Sequence, residues 1–210
     1  LIRQANAGPA AARNKGVREA KGEIVLFTDS DCILTPNWIE EMVKPFKENR
    51  EIVGVKGVYK TRQEELIARF AQLEYEDKYE IMKNYKYIDF VDTYSAAFKK
   101  DIFIGAGGYD STFPVACAED VDFSYRLSKK GYKMVFNPDA VVYHIHPNTL
   151  ASYLKKKYKF AYWRVLALKK NRSKAMKDSH TPQLMKIQAI LPPIVLVAGI
   201  FSTFSEISFY

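Results

Sequence analysis

The chain has 210 residues, 48% hydrophobic and 27% charged, a balance that supports one sizeable core and excludes a disordered or low-complexity chain. A formal charge of +8 implies an anionic partner, and nucleic acid, a lipid surface and a nucleotide would each suit. Two cysteines, Cys32 and Cys117, show no Cys-x-x-Cys spacing, which excludes a zinc ribbon and a disulfide framework; both are expected to be reduced, in a cytoplasmic setting. No signal peptide is visible, and the opening Leu1-Ile2-Arg3 reads as a strand end, so the sequence is read as a fragment.

In chain order, "GPAAARNKGVREA" places Pro at a first helical position and predicts a helix from Gly8-Pro9 to Ala20, ended by Lys21-Gly22. Glu23 to Thr28 is a near-continuous apolar run, expected to be a central strand of an α/β sheet buried on both sides, with Asp29 and Asp31 at its C-terminal end. That end is where open α/β sheets bind ligands. Thr35-Pro36 is expected to cap a helix whose Trp38, Ile39, Met42, Val43 and Phe46 share a face. "EIVGVKGVYK" alternates as a strand, Glu64 to Lys86 reads as a long Tyr-rich helix, and "VDTYSAAFKK" as another strand. "GAGGYDS" is a turn, Glu119 to Lys130 a helix stopped by Gly131, and "KMVFNPDAVVYHIH" short strands and a loop.

After Pro147 the composition changes. Thr149 to Lys177 reads as a basic helix with interleaved aromatics, suited to an anionic membrane surface. From Ile187 to Ser205 no charge appears, and the run reaches the ~18 to 20 residues needed to span a bilayer, with Pro192-Pro193 interrupting it. The expected organisation is a catalytic domain over 1–148, a basic juxtamembrane helix over 149–186, and the start of a transmembrane region over 187–210.

Asp29 and Asp31 lie one residue apart, so in an extended segment both side chains leave the same face. Two such carboxylates repel unless a cation sits beside them, and Mg²⁺ or Mn²⁺ takes carboxylate oxygens while keeping positions open for phosphate. Glu119 and Asp120 open a helix, where the dipole favours acids; an Asp there is also placed to deprotonate a hydroxyl nucleophile. His144 and His146 alternate in "VYHIHP", and a neutral imidazole can complete a metal site begun by carboxylates. Arg13, on the helix before the acidic strand, either grips phosphates or snorkels from the surface.

Three blocks stand in one order: "NAGPAAARNKGVREAKGEIVLFTDSDC", "GGYDSTFP" and "AEDVDFSYRLSKKGYKMVFNPDAVVYH". Together they resemble the inverting glycosyltransferases of family 2. The resemblance implies an α/β, GT-A-like fold, a three-layer α/β/α sandwich incomplete at the N-terminus, and transfer of a sugar from a nucleotide-diphosphate sugar to a hydroxyl of a glycan or lipid-linked acceptor. It further implies a metal site of Asp31, Asp29 and His144, in which Asp31 is the more direct ligand to a Mn²⁺ or Mg²⁺ bridging the diphosphate, with Asp29 nearer the ribose and the metal's waters. Asp120 would be the catalytic base, Glu119 would orient acceptor or loop, His144 (with His146 as runner-up) would be a metal ligand, and Arg13 would face the nucleotide. The family's first βαβ unit, which holds base and ribose, is not matched here, so weak nucleotide binding and an exposed sheet edge are expected.

A haloacid-dehalogenase-like phosphatase also places such an acidic pair after an apolar strand, but Ile33 stands where that motif has Thr. A non-enzymatic reading takes 149–177 as a membrane-docking or nucleic-acid-binding module, and the apolar run that follows favours membrane over nucleic acid. The reading adopted is a membrane-associated transferase with its catalytic domain on the cytoplasmic face, consistent with the Lys and Arg excess before Ile187.

Overall fold

The computed structural model of the chain describes residues 2–113, 118–171 and 179. Two compact units are present, 1–180 and 181–210; the second lies outside the described residues, as do Cys117 and the apolar run expected to cross a membrane. Among the described residues no helix is long and apolar enough to do so.

The framework of the first unit is a five-stranded mixed sheet in the order β1-β4-β3-β5-β2. Its strands are β1 (Ile24–Thr28), β2 (Cys32–Leu34), β3 (Ile52–Lys60), β4 (Ser95–Lys99) and β5 (Lys133–His144). Only β3 and β5 run parallel; the other neighbours are antiparallel. The side-chain period of two explains how β1 is buried. Val25 and Phe27 join a cluster with Phe98, Phe103, Tyr109 and Phe123, whereas Ile24 and Leu26 pack on the other face with Trp38, Met42 and Phe46. Helices α1 (Gly8–Glu19), α4 (Lys100–Gly105) and α5 (Glu119–Lys129) cover the first face and α2 (Trp38–Glu48) the second, giving the three layers of a GT-A-like α/β/α sandwich. Helix α3 (Leu66–Lys83) sets Tyr79 on Val58 and Val141, and α6 (Leu150–Lys170) packs against α3 and α5.

Several expectations are corrected. Among the described residues β1 is an edge strand, paired antiparallel to β4 alone, rather than a central one. Its apolar run reports two covered faces, which helices provide without a strand on each side. Asp29 to Cys32 is a tight turn, closed by the Cys32 N–H donating to the Asp29 carbonyl at 3.1 Å, and it feeds the short strand β2 that the sequence reading did not anticipate. Thr35 does not cap α2; its hydroxyl donates to the Val141 carbonyl, and the helix starts at Trp38. The segment from Lys133 is one 12-residue strand, which shifts register against β3 around Asn137–Ala140 and so accommodates Pro138. In the facing strand Gly57 lies at the same irregularity, where a Cβ would collide with Ser95 and the Ala140 carbonyl.

Candidate active site

The C-terminal end of β1, the turn after it, the ends of β3 and β5, the segment before β4, the N-terminus of α5 and one face of α6 enclose a cavity of about 520 Å³. Asp29, Asp31, Arg13, Glu119, Asp120 and His144 all line it. Residues separated by more than a hundred positions are thus brought to one place by the sheet.

Arg13 organises one wall. From α1 its guanidinium spans Glu119 at 2.6 Å and Asp29 at 3.1 Å. Burial works against that charge, but Glu119 above all, with Asp29, outweighs it and leaves the guanidinium more basic than usual. The next residue, Asn14, exchanges two hydrogen bonds with the backbone of Tyr109, at 2.7 and 2.8 Å. The "ARN" triplet therefore fixes the acidic strand end, the start of α5 and the Gly-rich turn to one helix. Gly107 and Gly108 in that turn have positive φ of 85° and 63°, and a side chain at Gly108 would press on Asn14.

The acids that open α5 diverge. Glu119 turns to Arg13 and accepts from the Ala118 N–H; Asp122 turns away to Arg126 and Asn171. Asp120 faces the cavity, its carboxylate accepting from the N–H groups of Val121 at 2.8 Å and Thr93 at 3.3 Å. Protein atoms surround it except toward the cavity, and this burial, reinforced by the Glu119 charge, raises its carboxyl from the ordinary 3.8 to about 6. A carboxylate so tuned is matched to taking a proton near neutral pH.

The two acids of the turn have different partners. Asp29 is held by Arg13 and by the Tyr59 hydroxyl, which donates at 3.3 Å. Asp31 projects into solvent, with an oxygen 3.6 Å from His144 Nδ1. Burial, and next the Lys156 charge, favour the neutral form of His144, the form that ligates metals. A ligand atom from each of Asp31, Cys32 and His144 lies within 4.8 Å of the others, whereas Asp29 is not in that group. The residues present fit a divalent cation: a carboxylate free to ligate and a buried imidazole nitrogen, His144 Nδ1, without a hydrogen-bond partner. His146 does not line this cavity. Its Nε2 meets Gln72 at 2.9 Å, and burial and the neighbouring His144 bring it down to about 4.

Several cavity residues were not foreseen. Tyr59 joins the turn to β5 by stacking on His144, with ring centroids 4.6 Å apart, while bonding Asp29. Asp92 pairs with Lys56, which burial depresses well below an ordinary lysine and whose ammonium also donates to Tyr94. The basic helix, read as a membrane-facing element, presents Lys155, Lys156, Lys159 and Arg164 to the cavity. The positions 155, 156 and 159 share a helical face, a signal visible in sequence; a lysine inside the apolar "VGVKGV" was another.

The arrangement is that of an α/β/α sandwich with an acid cluster in a cavity at one end of its sheet. The profile of Glycosyl transferase family 2 matches residues 1–105, half of the chain, and the protein belongs to that family of glycosyltransferases. It is 26% identical over 163 residues to the poly-beta-1,6-N-acetyl-D-glucosamine synthase of Staphylococcus aureus (strain COL), covering 75% of this chain and 39% of that protein. It is likewise 26% identical over 155 residues to the pre-mycofactocin glycosyltransferase of Mycobacterium tuberculosis (strain CDC 1551 / Oshkosh), with 71% and 33% covered. The chain thus spans between 33% and 39% of the length of these relatives. Among solved structures, the mannosyltransferase PcManGT of Pyrobaculum calidifontis, in complex with GDP-Man and Mn2+, superposes with a TM-score of 0.54 at 22% identity, covering 84% of this chain and 46% of that one. GalNAc-T7 with UDP, GalNAc and Mn2+ does so at 0.51 and 17%, covering 73% and 35%. At these identities the superpositions establish the GT-A fold.

Proposed function

We propose that the chain is the core of a metal-dependent inverting transferase that moves a sugar from a nucleotide-diphosphate donor to a hydroxyl acceptor. One observation carries this reading: in a single cavity, Asp120 is held by two backbone N–H groups and tuned to about 6, while Asp31 and His144 form a separate cation-binding corner. Asp31 and His144 would hold a Mn²⁺ or Mg²⁺, with Asp29 beside them as part of the Arg13-bridged wall that faces the nucleotide. The cation would supply positive charge to the departing diphosphate, and the α6 lysines add to it. Asp120 accepts the acceptor hydroxyl's proton as its oxygen bonds to the anomeric carbon; Glu119 holds Arg13 and thereby the wall against which donor and acceptor meet. The metal-bearing complexes of the two fold neighbours, and the name of the polymer synthase, support the donor and cofactor classes without defining the sugar.

The acceptor is proposed to be a glycan or a lipid-linked glycan, with the protein at the cytoplasmic face of a membrane, a placement supported by the apolar run at 187–205 and the positive charge before it. Calorimetric titration of UDP and GDP, with and without Mn²⁺, on the full-length protein is the test. Metal-dependent binding that survives Asp120→Asn while transfer is lost, and that disappears in Asp31→Ala, is expected. Full transfer by Asp120→Asn would remove Asp120 as the base.

A further inference from the structure

A lysine buried within the apolar strand β3 is directed wholly at one aspartate and one tyrosine. Lys56 is 1% exposed, with its ammonium 4.7 and 5.4 Å from the ring centroids of Tyr94 and Phe90. It donates to the Tyr94 hydroxyl at 2.9 Å and pairs with Asp92 Oδ2. Tyr94 is itself fixed, its hydroxyl 2.9 Å from that of Tyr79, which accepts the Tyr59 N–H at 2.7 Å. Taking an ammonium out of water is costly unless it is paired, and here the pairing holds Asp92 against the cavity wall. Asp92 is 19% exposed and lines the same cavity as Asp120, and among the described residues its second oxygen accepts no hydrogen bond.

That cavity has two ends. Lys156 acts on Asp31 and Asp29 at the cation corner, whereas Lys56 acts with Lys78 and Asp120. Asp92 is tied to Asp120 through the next residue, since the Thr93 N–H donates to the Asp120 carboxylate at 3.3 Å. Tyr75 and Phe90 line the cavity beside Asp92. In an in-line displacement with inversion the nucleophile enters opposite the departing group, so a residue beside the base and away from the cation meets the acceptor. Aromatic rings with a carboxylate at their edge match a sugar, whose ring has C–H faces and a rim of hydroxyl donors. We propose that Asp92 is a specificity-determining residue of the acceptor end, its second carboxylate oxygen accepting hydrogen bonds from hydroxyls of a sugar ring, and that Lys56 is the positioning residue that holds it there. The inference rests on the transferase reading for the direction of attack and adds the pair of residues that reads the acceptor.

Saturation-transfer NMR on the full-length protein, with the methyl glycosides of glucose, galactose, mannose and N-acetylglucosamine as probes and no nucleotide present, tests it. At least one glycoside is expected to receive saturation from the wild type, and its Kd should rise roughly tenfold or more in Asp92→Asn, the loss expected for a hydrogen bond to a charged group. Because Asp92→Asn leaves Lys56 without its countercharge, the double variant Lys56→Met with Asp92→Asn removes both charges; checked as folded by its thermal unfolding, it should show the same loss. Lys56→Met alone keeps the carboxylate but releases it, so a smaller loss is expected. A deoxy analogue lacking the hydroxyl that Asp92 accepts should bind the wild type as weakly as the parent binds Asp92→Asn, and lose nothing further in the variant. No saturation transfer to any glycoside, wild-type affinity in the folded double variant, or equal losses for every deoxy analogue would overturn the proposal. Titration of UDP and GDP with Mn²⁺ on the same wild-type sample keeps the two readings apart. Glycoside binding without nucleotide binding sustains Asp92 as a sugar ligand and defeats the transferase reading; nucleotide binding without glycoside binding does the reverse.

Discussion

Replacing Glu119 by Gln should move the acid limb of catalysis to lower pH. Asp120 stands near 6 against an ordinary 3.8, which corresponds to ~3 kcal/mol between its protonation states. Burial is the larger cause and the Glu119 charge the next, while the Thr93 and Val121 N–H groups and Arg13 oppose both. Glu119→Gln removes the second cause and leaves the first, so the limb should fall by roughly one unit and stop short of the free-acid value. The assay is the pH dependence of kcat/KM for release of nucleoside diphosphate by the full-length enzyme, with a carboxyl-carbon NMR titration of Asp120 as a substrate-free check. A limb that stays at 6 or rises would refute the assignment of Glu119 as the charge that tunes the base. The same shift has a stability consequence. Because the folded carboxyl is raised, the folded state binds more protons than the unfolded one between about pH 4 and 6. Stability from this group is therefore fully present below the unfolded value and is lost, by ~3 kcal/mol, as pH rises through 6. In the Gln variant that loss should shrink when urea unfolding is measured across the window.

Arg13→Ala should act in the opposite direction on the limb, raising it, and should cost ~3 kcal/mol in urea unfolding because Glu119, 1% exposed, loses its close partner; an unchanged midpoint would show that the bridge is not formed in solution. Gly57→Ala should cost more than ~3 kcal/mol or abolish folding, since the added Cβ meets Ser95 and the Ala140 backbone inside the sheet; near-wild-type thermal unfolding would contradict the packing described for the β3–β5 irregularity. Asn14→Ala, which leaves two Tyr109 backbone groups without their partner, should cost about 1–3 kcal/mol and raise amide exchange in the Gly-rich turn. Exchange rates equal to wild type there would count against Asn14 as the anchor of that turn.

Sequence was a good guide where burial follows a local period. The helices α1, α3 and α5 lie close to their expected positions because helix formers, the first-turn Pro9 of α1 and the stop at Gly131 after α5 are all local signals. The strand from Ile24 was legible as buried on both faces, but not as an edge strand, since pairing partners lie far along the chain and leave no mark on the strand itself. The gathering of Asp29, Asp31, Glu119, Asp120, Arg13 and His144 around one cavity was legible through a family resemblance and not through spacing. The exclusion of His146 was not legible. Two histidines at alternate positions imply a shared face only while the strand continues, and β5 ends at His144. Tyr59 was invisible for a related reason: it matters through residues elsewhere in the chain, stacking on His144 and donating to Asp29.

Several carboxylates coexist at this sheet edge because most of them have a counter-group, alone or shared. Glu119 and Asp29 share Arg13, Asp92 has Lys56, and Asp120 has two peptide N–H groups and a carboxyl that holds its proton up to about 6. Asp31 differs: its neighbour is a neutral histidine whose charged form burial disfavours. That asymmetry gives the acids distinct chemistry despite their proximity. Those neutralised by Arg13 act as scaffold, the one with a raised carboxyl is fitted to proton transfer, and the one left short of positive charge is where a cation gains most. The α6 lysines add positive charge to the same cavity, where Lys156 acts on Asp31 and then Asp29, so the proposed diphosphate would meet their field together with that of the cation.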